Sequence, residues 1–316
     1  MLTLRTLACA AALTCLAACG GHGNAPPAAS GSASQPGAAP AADLGEGPRI
    51  ALSKDYVHLE YRVYGQGEPA VLLIHGWAGN ANYWNEQLDA LKAHYTVVAM
   101  NLAGHGGSEN NRTDWSIANF AEDVAAVAHQ IPNAHLVLVG HGMGAVVALA
   151  AVPLLGARVS GVIAVDALRS VGEPPLPPRE IAARIAPFRT NFIGATRELV
   201  SNSLFPRDAD PLLVQKVAYD MSLARPQVAV ASMQSLLSVD LAPILAQVHV
   251  PVYAINSDLQ PTDEARIRKS LPDFKLDVLP HTGHFPMLET AARFNPLLLS
   301  DIAALAQAPR SGASAP

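Results

Sequence analysis

Short, continuous apolar runs separated by helix-length stretches constrain this chain more than any other feature. The runs are Ala70 to Ile74, Tyr95 to Met100, Leu136 to Val139, Gly161 to Val165, Val250 to Ile255 and Leu276 to Leu279. A strand that is apolar on both faces belongs in a parallel sheet covered by helices. The stretches from Asn82 to Ala93 and from Ile117 to Gln130 read as helices, and Gly144 to Leu155 as an Ala/Val-rich buried helix that needs no polar face. Strand and helix alternate, so the expected fold is α/β, a doubly wound, mostly parallel sheet with right-handed crossovers. Upstream, Val57, Leu59, Tyr61 and Val63 alternate with His58, Glu60 and Arg62, the pattern of a half-buried strand that begins at Tyr56 and stops at Gly65-Gln66-Gly67. From Leu168 to Ala246 helical patterns follow one another with no strand, opened by Pro174, Pro175, Pro177 and Pro178. This interval reads as a helical cap over the carboxyl edge of the sheet, where open α/β sheets bind ligands.

The ends of the chain read differently. Arg5, the apolar run Leu7 to Ala18 and then Gly20-Gly21 have the form of a leader, 1–18, too short to span a bilayer. Leu16-Ala17-Ala18-Cys19 resembles the lipobox of bacterial lipoproteins, which implies cleavage before Cys19, its lipidation, and attachment to a membrane of the cell envelope. All three cysteines, Cys9, Cys15 and Cys19, fall in this stretch, so the folding part has no thiol and no disulfide. Residues 19–48 are mostly Gly, Ala, Pro and Ser and read as a flexible tether, and 308–316 as a similar tail. The core is expected at 49–167 and 247–307, with the cap at 168–246. A formal charge of −5, with no basic cluster, argues against nucleic acid as a partner.

Four loops carry the chemistry. His75-Gly76-Trp77 follows the run ending at Ile74, Asn101 to Ser108 is glycine-rich, Gly140-His141-Gly142-Met143-Gly144 joins a strand to a helix, and Gly283-His284-Phe285-Pro286-Met287-Leu288-Glu289 follows the last strand. In this order and context they resemble the α/β-hydrolase family of esterases and lipases, over residues 50 to 307. The resemblance implies an oxyanion hole from the backbone N–H groups of Trp77 and Met143, and His284 as general base. The nucleophile position of the Gly-x-Ser-x-Gly elbow is Gly142, which has no hydroxyl to be acylated. Glycine also relieves the strained backbone that a serine there adopts, worth on the order of 1–3 kcal/mol.

For the acid that orients His284, Asp258, just past the run ending at Ile255, is preferred, with Asp166, at the end of the run Gly161 to Val165, as the alternative. Gln260 stands where the family places its acid, and Asp263 reads as a helix cap. His75, His105 and His141 read as orienting or packing residues. His281 and His284 lack the carboxylates or thiols of a metal site, so no metal is expected, and no cofactor fingerprint follows a strand.

Three functional readings follow. A relative of the esterases, with serine-esterase activity absent or very weak, binds an apolar ligand or a protein without turnover. A nucleophile-free hydrolase, or another cofactor-free enzyme, works from His284. An ordinary serine esterase carries a Ser-to-Gly change at 142. Phe188, Phe192 and Phe205 in the cap point to a small hydrophobic ester or acyl group as the ligand.

Overall fold

The computed structural model describes residues 47–307, so Cys19, the leader, the tether up to residue 46 and the tail 308–316 lie outside the described residues. Eight strands form one sheet: β1 Pro48–Leu52, β2 His58–Tyr64, β3 Ala70–Ile74, β4 Thr96–Met100, β5 Leu136–His141, β6 Val159–Val165, β7 Val252–Ser257 and β8 Lys275–Leu279. Their order is β1-β2-β4-β3-β5-β6-β7-β8. β1 and β2 pair antiparallel, as do β2 and β4, and every pairing from β4 onward is parallel.

Helices α1 (Asn85–Lys92), α2 (Ile117–Ala128) and α3 (Met143–Leu155) fill the first crossovers. The cap holds α4 (Pro178–Thr190), α5 (Phe192–Leu199), a π-helical turn Val200–Leu204, α6 (Pro211–Ser222), α7 (Pro226–Ser238) and α8 (Leu241–Leu245). After β7 come α9 (Glu264–Arg268), α10 (Pro286–Glu289) and α11 (Ala291–Gln307). β3 shows why the runs are continuous. Leu72 and Ile74 pack in one core with α2 and α3, while Val71 and Leu73 pack in a second with α1 and α11. Both faces of the strand are therefore apolar.

Most boundaries shift by one or two residues from the sequence reading, and three of the shifts have a visible cause. β1 starts at Pro48, inside the expected tether, and it is defined by pairing with β2, since Ile50 and Leu52 are exposed and only every second side chain turns inward. β2 starts at His58 because Tyr56 takes φ +65° in the turn before it. The stretch from Asn82 begins as a 3-10 turn, Ala81–Trp84, whose first turn is capped by the Asn80 side chain, before α1 follows at Asn85.

Candidate active site

The elbow is built at the carboxyl end of β5. Its backbone passes so close to β3 that a Cβ at Gly144 would stand 2.5 Å from the His75 and Ile74 carbonyl oxygens, and one at Gly140 would collide with the Gly144 carbonyl. Gly142 itself has φ +51° and ψ −113°, a left-handed conformation that costs glycine little and other residues more. Its N–H bonds the Val165 carbonyl at 3.0 Å. A Cβ at 142 would point at the His284 imidazole, 3.1 Å from Nε2 and 3.2 Å from Cε1. Any side chain at this position thus faces the His284 imidazole.

His284 Nδ1 lies 2.7 Å from Asp166 Oδ2, and Asp166 is 4% exposed. The carboxylate also accepts from the Ser257 N–H at 2.8 Å and takes a bidentate bond from Arg169, at 2.6 and 3.1 Å. Burial alone would raise the Asp166 carboxyl, but His284 and Arg169 together hold it far below the usual carboxylate range. An ionised Asp166 fixes the tautomer: Nδ1–H donates to it, and Nε2 keeps its lone pair toward position 142.

The preference for Asp258 is corrected here. Asp258 is exposed on the rim beyond β7, and its carboxylate accepts from the Thr282 N–H at 3.3 Å. Asp166 reaches the imidazole because it directly follows β6, nearer the elbow in the sheet, with φ +47°. Gln260 offers only its carbonyl, to Arg169 Nε at 3.1 Å. Asp263 caps α9 as read, accepting from the Arg266 N–H at 3.0 Å.

Met143 opens α3, so its N–H lies outside the helix ladder. With Trp77 it lines a cavity of about 710 Å³ that also includes Gly142, His284, Phe188 and Met221. The Trp77 ring does separate work. Its Nε1–H donates to the Ala229 carbonyl of α7 at 2.7 Å, and its face meets Phe188 and Phe192 edge-on. The cap is pinned to the loop of Trp77, one of the two amide donors that the resemblance implies.

The other histidines hold backbone. His75 Nδ1–H donates to the Gly76 carbonyl at 2.8 Å while its Nε2 accepts from the Leu102 N–H at 3.1 Å. His141 Nε2–H donates to the His284 carbonyl at 2.7 Å. Burial holds both well below the ordinary histidine value, to about 3, so they stay neutral. His105 donates from Nδ1 to the Ala103 carbonyl at 3.0 Å. Among the described residues no group of three or more His, Cys, Asp or Glu could hold a metal ion. Arg169 was not singled out in the sequence. Its one signal is the i,i+3 spacing from Asp166.

Residues 71–297 match the model of the alpha/beta hydrolase family. An uncharacterised protein of Mycobacterium tuberculosis is 37% identical over 89 residues, which cover 28% of this chain and about a quarter (26%) of that protein. The dihydrolipoyllysine-residue acetyltransferase component of the acetoin cleaving system of Pseudomonas putida is 27% identical over 254 residues, 76% of this chain and 65% of that one. The match thus spans less than two thirds of either relative. An esterase from Exiguobacterium antarcticum superposes with a TM-score of 0.73 at 21% identity, covering 80% of this chain and 98% of the esterase, a likeness of fold. The elbow, the histidine loop and the sheet order agree with that match: this chain belongs to the alpha/beta hydrolase family.

Proposed function

We propose that this protein hydrolyses a neutral, apolar ester without a covalent intermediate, His284 activating water beside Gly142. One observation carries the reading. An oriented base, Asp166–His284, points its free Nε2 at a position that has no side chain. Water held by Nε2 attacks the acyl carbon and gives its proton to the imidazole as the C–O bond forms. The oxyanion is held by the N–H groups of Trp77 and Met143. The tetrahedral adduct then expels the alkoxide, which takes the proton from His284, so one ester and one water give one acid and one alcohol.

The ligand's neutrality follows from the lining. Each charged residue on the cavity wall already has a partner: Asp166 with Arg169 and His284, Glu173 with Arg266 at 2.7 Å, and Arg184 with Glu180 at 2.6 Å. The rest of the wall is dominated by Leu, Met, Val and Phe. Such a wall pairs no charge on a ligand and offers apolar burial instead.

The test is hydrolysis of p-nitrophenyl esters of several chain lengths by the purified protein and by His284→Ala. Slow turnover that disappears in His284→Ala supports the reading, and equal rates in both sink it. A second reading, binding without turnover, draws on Arg169, which shares the Asp166 charge that would stabilise an imidazolium. Ligand-induced thermal stabilisation with no product formed would favour it.

The Leu16 to Cys19 motif supports export and lipid anchoring at Cys19. Expression in a bacterium with labelled palmitate tests this: label in the wild type and none in Cys19→Ser is expected, and an unlabelled wild type refutes it.

A further inference from the structure

Glu289 ends the histidine-loop motif, and neither the oxyanion hole nor the Asp166–His284 pair uses it. Its carboxylate accepts from the N–H of Gly283 at 2.8 Å through Oε2 and from the N–H of Phe285 at 3.0 Å through Oε1. The two bonds bracket His284. The remaining backbone groups there are also bonded: the His284 N–H donates to the Leu204 carbonyl at 2.7 Å, and the His284 carbonyl accepts from His141. With both sides of the residue fixed, the imidazole keeps its aim at position 142.

Charge gives the same carboxylate a second effect. The groups facing His284 are Asp166 with its clamp Arg169 from the exit of β6, His141 from β5, and Glu289 from α10. His141 is neutral, and the Asp166 carboxylate bonds the imidazole itself while Arg169 bonds only that carboxylate. Among the described residues Glu289 takes part in no ion pair, since its oxygens are bound by backbone N–H groups. Burial holds its carboxyl above the ordinary glutamate value, and the two N–H bonds oppose that rise only in part. Glu289 therefore adds a second carboxylate to that of Asp166 beside the imidazole.

We propose that Glu289 is a positioning residue for His284, holding the backbone on both sides of the imidazole while its carboxylate adds to the charge of Asp166. This rests on His284 being the base of the proposed function. The experiment does not depend on turnover: the imidazole of His284 is titrated by nitrogen-detected NMR in the full chain and in Glu289→Gln. Gln keeps the size and one acceptor oxygen but loses the charge. The midpoint for His284 is expected to fall by about half a pH unit or more. A folded Glu289→Gln whose His284 titrates where the wild type does overturns the proposal, whether or not the protein hydrolyses esters. Should Glu289→Gln fail to fold, Glu289→Asp decides. It keeps the charge and shortens the reach, so fluorophosphonate labelling should slow about tenfold in Gly142→Ser/Glu289→Asp relative to Gly142→Ser. Equal labelling rates refute the positioning role.

Discussion

At Gly142 a single missing side chain separates two chemistries. Gly142→Ser places a hydroxyl beside His284 Nε2, and the imidazole must give by a few tenths of an ångström, since the new Cβ starts 3.1 Å away. We expect fluorophosphonate labelling and ester turnover to rise well above wild type. Serine at φ +51° should also cost about 1–3 kcal/mol of stability, read by urea denaturation. In that background the two candidate acids can be told apart. Gly142→Ser/Asp166→Asn should label roughly 10³–10⁴-fold more slowly, because an amide no longer fixes the donor tautomer of His284. Gly142→Ser/Asp258→Asn should stay within about twofold, as expected of an exposed position. The reverse ranking would return the role to Asp258. The sequence shows which residue types surround position 142. It could not rank the two aspartates, because that depends on which strand exit lies nearer the imidazole in space.

Among the elements, the buried strands were the most legible. β3 falls on the run Ala70 to Ile74 because a strand apolar on both faces has no competing periodicity, whereas β1, with one buried residue in five, has no such signal. The cap was legible as an interval of helices. Its attachment was not, since the bond from Trp77 Nε1–H to Ala229 spans 152 positions of the chain. Trp77→Phe removes that bond, while Ala229 keeps a second donor in the Ser232 hydroxyl at 3.1 Å. The loss should therefore be about 1 kcal/mol. Limited proteolysis should then cut faster within 168–246, and unchanged cleavage would show that the phenylalanine contacts hold the cap by themselves.

For the molecule as a whole, buried neutral histidines set the response to acid. Burial lowers His75 and His141 to about 3 and His105 to about 4, against 6.5 for the free side chain. Between those limits the unfolded chain binds more protons than the folded one, so stability falls as pH drops below about 6.5, by roughly 1.4 kcal/mol per pH unit for each histidine. Asp123, pushed by burial up to about 6, works in the opposite sense between that value and 3.8. Glu289 and Asp301, also raised by burial, oppose the loss further, and the three histidines still outweigh them, so stability should fall toward pH 5. Denaturation midpoints measured from pH 7.5 to 4.5 should fall steadily, and a flat profile would contradict the burial of these rings.

The cap leaves the sheet immediately after the residue that holds the base. Asp166 follows β6, and Arg169, which grips Asp166 from three positions further on, is the second residue of the segment 168–246. Replacing the lid of this protein by recombination would therefore exchange the guanidinium at its root along with the roof over the ligand. Under the proposed function, ligand choice and the strength of the base are joined at one short stretch of chain, so a change of lid would carry a change of reactivity with it.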